Sequence, residues 1–285
     1  MSFRLSEPIR ERRRASRSTV GFMSSAESGG LLPAVPEDWD TGLAVVAHPD
    51  DIEYGAAAAV ARWTAQGKTI SYLLASRGEA GIDAIDPIEA APLREQEERT
   101  GARAVGVETV EFLEHRDGVI ENSIALRREI TRAIRIHRPE VLITGNYDVK
   151  MFNGMTNQAD HRAVGLATLD AARDAGNRWI FPELIEEEGL QPWGGVRFVL
   201  VGGANTPTHG VDVSGDPLQR GIESLRAHAQ YTSGLGRASF DPAPFLTWFA
   251  ERSGAAMGVP GAVLFDLHWI IPPGPPPWLT EESST

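Results

Sequence analysis

Short apolar runs alternate with Ala-rich or amphipathic stretches through most of this chain. Residues 42–47 read Gly-Leu-Ala-Val-Val-Ala, a run without polar side chains of the sort that forms a strand buried on both faces. The Ala-rich residues 55–66 then predict a helix, and residues 69–75 a second strand, so the chain opens as a βαβ unit of a parallel sheet. Helices are predicted over 92–105, 123–137, 161–175 and 217–231, and strands over 109–113, 141–144, 198–202, 210–213 and 263–267. The alternation predicts an α/β fold: a Rossmann-like, mainly parallel sheet with helices on both faces. Ligands of such sheets sit at the carboxyl ends of the strands.

The ends of the chain depart from this pattern. Residues 1–37 hold Arg4, Arg10, Arg12, Arg13, Arg14 and Arg17, then Ser/Gly-rich sequence, and show no sustained periodicity. They are expected to form a flexible arm, followed by a single domain over 38–271 and a Pro-rich tail over 272–285. No internal repeat is evident.

Composition narrows the chemistry. The formal net charge is −12 and, outside the arm, basic residues are dispersed, which disfavours a nucleic-acid surface. The chain has no cysteine, so disulfides, thiolate metal sites and thiol nucleophiles are excluded. No run reaches the roughly 18 apolar residues of a membrane span. The N-terminus lacks the apolar core of a signal peptide, and a cytoplasmic protein without a membrane partner is expected. Whether it forms a homo-oligomer is left open.

The first strand ends in His48-Pro49-Asp50-Asp51. A nucleotide-binding sheet would place glycines here to let backbone amides approach phosphate. An imidazole and two carboxylates, on a turn stiffened by Pro49, suit a metal instead. Catalytic zinc takes about three His or carboxylate ligands and leaves a position for water. His48 and one of the two aspartates supply two ligands in this reading, and the other aspartate is free to act as general base. The third ligand is expected from Asn157-Gln158-Ala159-Asp160-His161, which follows the 141–144 strand, with Asp160 holding the His161 ring from behind. Read alone, His48-Pro49-Asp50-Asp51 is also an ordinary capped helix start.

These residues resemble a known family. Ala47-His48-Pro49-Asp50-Asp51 with Gly55, Ser76-Arg77-Gly78-Glu79-Ala80-Gly81, Arg94 with Glu97, Asp117-Gly118 and Asp160-His161-Arg162 occur in order across about residues 41–170. The chain is similar to the N-acetylglucosaminyl-phosphatidylinositol de-N-acetylases and LmbE-like deacetylases, which include the mycothiol-pathway deacetylase and amidase. The resemblance implies a Rossmann-like fold with one Zn²⁺ held by His48, Asp51 and His161, and Asp50 as general base. It further implies Arg94 as a substrate-binding arginine and Asp117 as an acidic position near the sugar site.

The implied reaction is hydrolysis of an N-acyl group from a small amino-sugar substrate. One departure stands out. The family's His-Pro-Asp-His at the third-ligand segment reads Gln158-Ala159-Asp160-His161 here, so Gln158 occupies an outer position where an imidazole is usual. An amidase acting on another conjugate is an alternative reading, and a metal-binding but inactive module is another. For stabilising the oxyanion the residues considered are His228 and His268.

Overall fold

The computed structural model describes residues 30–151, 154–236 and 240–274. In chain order the elements are β1 (Thr41–Val46), α1 (Asp51–Gly55), α2 (Ala57–Ala65), β2 (Thr69–Leu74), α3 (Pro87–Ala104), β3 (Thr109–Phe112), α4 (Ile124–His137) and β4 (Val141–Gly145). They continue with α5 (Ala159–Asp174), α6 (Glu183–Glu186), β5 (Phe198–Gly202), β6 (His209–Asp212), α7 (Asp216–Arg226), α8 (Ala229–Gly234), α9 (Pro242–Gly254) and β7 (Ala262–Trp269).

The strands form one seven-stranded sheet in the order β3-β2-β1-β4-β5-β7-β6. The first five of these run parallel, and β7 is antiparallel to both β5 and β6. Side chains alternate across each strand, and both faces are covered. Ala44, Val46, Tyr72, Leu74, Ile143 and Leu200 point into a core closed by α2 and Ala250 of α9. Leu43, Val45, Leu73, Leu142 and Val199 point into the opposite core, built with α4 and α5. Burial on both sides is why these strands read as continuous apolar runs rather than alternating ones.

One close approach sets the packing of α7 on α2. A Cβ placed on Gly221 would lie 2.9 Å from the Ala58 amide nitrogen and 3.0 Å from its Cα. Gly221→Val is therefore expected to destabilise the fold by about 1–3 kcal/mol through overpacking. Denaturant unfolding checks this, and an unchanged midpoint would contradict the contact.

Several boundaries differ from the sequence reading. The helix expected over 55–66 spans Ala57–Ala65, and a separate short helix that was not expected, Asp51–Gly55, precedes it. The one expected from Pro92 begins at Pro87, capped by Asp86 whose carboxylate accepts from the Ile88 amide at 2.9 Å. Pro92 lies inside it, forgoing one backbone bond without ending the helix. The helix expected over 217–231 breaks at residues 227–228 into α7 and α8. Helix α9 was not expected, although Asp241 followed by Pro242 is a helix-start signature.

The expected arm is described only from residue 30. Its last part packs on the sheet: Val35 is buried, its amide donates to the Gly210 carbonyl at 2.9 Å, and Ala34 bridges to Gly210. The Arg cluster of residues 4–17 lies outside the described residues, as does the tail beyond residue 274. Among the described residues, no helix is long and apolar enough to cross a membrane.

The strand order places the site. From β1 the chain runs to β2 on one side, and the neighbour on the other side is β4. The connections leaving β1 and β4 therefore diverge to opposite faces of the sheet and open a crevice at their carboxyl ends. The 47–51 turn and residues 157–161 form two walls of that crevice.

Candidate metal centre and catalytic cavity

The turn after β1 folds back on itself. The Asp51 Oδ2 atom accepts from the amides of Ala47 and His48 at 3.1 and 2.9 Å, which leaves Oδ1 facing outward. His161, in the first turn of α5, brings Nε2 to 3.0 Å from that Oδ1. The two atoms make no hydrogen bond, and the buried His161 Nε2 has no other hydrogen-bond partner. His48 Nδ1 lies 3.7 Å from Asp51 Oδ2, and the two imidazole rings are 5.2 Å apart. Donor atoms of His48, Asp51 and His161 all fall within 4.8 Å of one another. Two imidazole nitrogens and a carboxylate oxygen converging on one point, with a buried nitrogen left without a hydrogen bond, fit a divalent cation.

The far sides of both rings are held. His48 Nε2 is 3.0 Å from Asp117 Oδ1 and 3.1 Å from Asp160 Oδ2. Burial alone would lower the His48 pKa, but the carboxylates of Asp117, Asp160 and Asp51 push it up to about 12. With two carboxylates at Nε2, a metal-bound His48 would keep its proton there and use the opposite nitrogen, on the Asp51 side, as the ligand. Asp160 is anchored in turn by the amides of Gly118 and Ile120 at 2.7 and 3.1 Å. His161 Nδ1 contacts Asn157 Oδ1 at 2.9 Å.

This corrects one expectation. Asp160 holds His48 rather than its sequence neighbour His161, because the helical start of α5 turns the two side chains to different sides. Asn157, one helical turn before His161, takes the role expected of Asp160. Asp117, expected near the sugar, contacts His48 and also lines the cavity over the site. Asp160→Asn is expected to weaken metal binding by about 10–100-fold with the fold retained, as measured by competition with a chelator.

Asp50 is buried and adopts φ 87°, a left-handed conformation, as the N-cap of α1. Its amide donates to Glu98 Oε2 at 3.1 Å, and its Oδ2 has no hydrogen-bond partner. Burial, opposed by Arg94 and reinforced by Asp51, raises the Asp50 pKa to about 7. A carboxylate poised there exchanges protons readily at neutral pH.

Arg94, only 2% exposed, donates to the Pro49 and Gly78 carbonyls at 2.6 and 2.7 Å and lies 3.5 Å from Asp50 Oδ2. Its guanidinium also stacks on the Tyr231 ring, 3.9 Å from the centroid. Gly78 has φ +63°, and a Cβ there would collide with this guanidinium. The Ser-Arg-Gly-Glu-Ala-Gly segment is thus the bed of Arg94. Its other members brace the loop: Arg77 pairs with Glu95 and Glu114, and Glu79 accepts from the Asp117 amide at 2.9 Å.

A cavity of about 330 Å³ opens over these groups. His48, Asp50, Asp51, His161, Arg94 and Tyr231 line it, and Gln158 does so at an exposed position. Neither His228 nor His268 is among its lining residues. His268 pairs instead with Asp266 at 3.0 Å. Tyr231 was missed by sequence reasoning; its only signal is an aromatic three residues after His228.

The sheet and the site together define a Rossmann-like α/β protein with a candidate metal centre at its topological switch point. Residues 43–172 match the family profile described as PIG-L, GlcNAc-PI de-N-acetylase. It is 27% identical over 192 residues to diacetylchitobiose deacetylase of Thermococcus kodakarensis, covering 65% of this chain and 68% of that protein. It is 30% identical over 212 residues to 1D-myo-inositol 2-acetamido-2-deoxy-alpha-D-glucopyranoside deacetylase of Kineococcus radiotolerans, covering 61% of this chain. That match spans only 58% of the Kineococcus protein's length. The fold superimposes on N,N'-diacetylchitobiose deacetylase from Pyrococcus horikoshii with a TM-score of 0.71 at 21% identity, covering 83% of this chain and 88% of that one. At that identity the likeness speaks for the fold alone. Both sequence relatives are deacetylases by name, and the PIG-L family consists of N-deacetylases.

Proposed function

We propose that this chain is a zinc-dependent hydrolase that removes an N-acyl group, acetyl in the simplest case, from a small amino sugar or related glycoconjugate. The observation that carries this reading is the pairing of a convergent His48, Asp51 and His161 set with a buried, hydrogen-bond-poor Asp50 carboxylate over one cavity. His48, Asp51 and His161 would hold the zinc. When bound, zinc polarises an amide carbonyl and lowers the pKa of water beside it.

The chain's own residues supply the rest. Asp50 Oδ2 takes a proton from the attacking water and returns it to the departing amine, a cycle suited to a carboxyl group poised near neutrality. Asp117 and Asp160 keep the proton on His48 Nε2, and Arg94 holds the Pro49 carbonyl so that Asp50 stays aimed at the cavity. Tyr231 presents an uncharged phenol at the cavity wall. The two deacetylase relatives, whose names specify N-acetylated sugars, support the substrate class.

A second reading, a conjugate with an apolar group, has its own observation. A neighbouring cavity of about 320 Å³ is lined by Leu218, Phe245, Leu246 and Phe249 and shares Tyr54 and Met151 with the catalytic one. The test is amine release by zinc-loaded protein from a panel of N-acetylated mono- and disaccharides, run beside N-acyl sugars with longer acyl chains or apolar aglycones. Turnover of the simple sugars supports the first reading and turnover of the apolar set alone the second. Absence of turnover across the panel would refute both.

A further inference from the structure

Behind the catalytic turn, three ionisable side chains meet from three different elements. Glu53 comes from α1, Glu98 from α3 and His228 from the N-cap of α8, and they are 2%, 0% and 0% exposed. None of them lines the catalytic cavity.

Each carboxylate is anchored on one oxygen. Glu53 Oε1 accepts from Ser224 Oγ at 2.9 Å, and Glu98 Oε2 from the Asp50 amide at 3.1 Å. Yet Glu53 Oε2, Glu98 Oε1 and both ring nitrogens of His228 have no hydrogen-bond partner. His228 Nε2 lies 3.8 Å from Glu53 Oε2 and 3.8 Å from Glu98 Oε2, too far for a hydrogen bond to either. Leaving a buried polar atom without a hydrogen bond is unfavourable, and here several such atoms gather in one cluster.

The spacing suits a shared ion. Ligand atoms of the three residues lie within 4.8 Å of one another. Bonds of about 2.0–2.2 Å at tetrahedral to trigonal angles put ligand atoms roughly 3.3–3.7 Å apart. The separations of His228 Nε2 from the Glu53 and Glu98 carboxylates, 3.8 Å each, lie within tenths of an ångström of that range. Two carboxylates and a neutral imidazole around a divalent cation make an uncharged unit, the form in which buried charge is tolerated. Oxygen and imidazole ligands without a thiol suit zinc.

We propose that Glu53, Glu98 and His228 form a second, structural zinc site that ties α1, α3 and the start of α8 together behind Asp50. Because Glu98 Oε2 receives the Asp50 amide, an ion fixing Glu98 also fixes the left-handed backbone of Asp50.

The experiment is zinc stoichiometry by mass spectrometry on the full chain, loaded with Zn²⁺ alone and dialysed against metal-free buffer. Wild type is expected to keep two equivalents, and His161→Ala and Glu98→Gln one each. A single wild-type equivalent that His161→Ala removes and Glu98→Gln keeps would overturn the proposal. A single equivalent with the reverse behaviour would support this site and count against the catalytic one, so the two readings fail separately. Should Glu98→Gln not fold, anomalous diffraction of the wild type at the zinc edge decides. A peak between Glu53, Glu98 and His228 is expected, and none there refutes the site.

Discussion

Asp50→Asn is expected to lower kcat by about 10²–10⁴-fold, the usual worth of a positioned acid–base group, while zinc content and fold are unchanged. The substitution is clean for three reasons. Asn is among the residues that accept the left-handed backbone found at φ 87°, so the turn survives. The Asp50 amide that Glu98 receives is a main-chain group and stays in place. The converging donor atoms of the metal set belong to His48, Asp51 and His161, so metal binding does not use the Asp50 side chain. What is lost is a carboxyl group able to gain and lose a proton near pH 7. Steady-state kinetics together with metal analysis checks this. Wild-type turnover would remove Asp50 from the role of base, and loss of zinc would show that it is a ligand.

Arg94→Met is expected to cost roughly 3 kcal/mol of stability, because it removes the cation from a buried set and strands its partners. The Pro49 and Gly78 carbonyls lose their donor and Asp50 loses the cation 3.5 Å away. Arg94→Lys keeps the charge, but a single ammonium cannot reproduce the fork that spans the two carbonyls. It is expected to fall between wild type and Met in stability and to lower kcat more than it raises KM. Thermal unfolding with steady-state kinetics separates two roles. An arginine that only bound substrate would raise KM and leave the melting temperature alone.

The contact set of Arg94 shows where sequence reasoning stopped. The resemblance marks Arg94 for substrate. The structure places it under the catalytic turn, reaching the Pro49 and Gly78 carbonyls, which belong to two other segments of the chain. Spacing along one helix carries no information about such a contact. The same holds for Asp117 and Asp160, whose shared partner His48 is 112 residues from Asp160.

Local chemistry was legible from the sequence. Apolar runs buried on both faces predict a parallel sheet, and most strands fall within a residue or two of their predicted limits. A turn of imidazole, proline and two carboxylates at a strand's end excludes a phosphate loop, and with no cysteine the metal ligands must be His, Asp or Glu. The helix after β4 was likewise recognisable as the source of His161. Those properties follow from interactions within a few residues of chain.

What only the tertiary structure decided is which distant groups share a partner. Placing β1 beside β4 brings Asp51 Oδ1 to 3.0 Å from His161 Nε2, and it turns Asp160 to His48 and leaves Asn157 for His161. Folding α8 against α3 puts His228 beside Glu53 and Glu98, all three buried. Burial and the direction of each side chain are set by packing across the sheet, and linear spacing does not encode them.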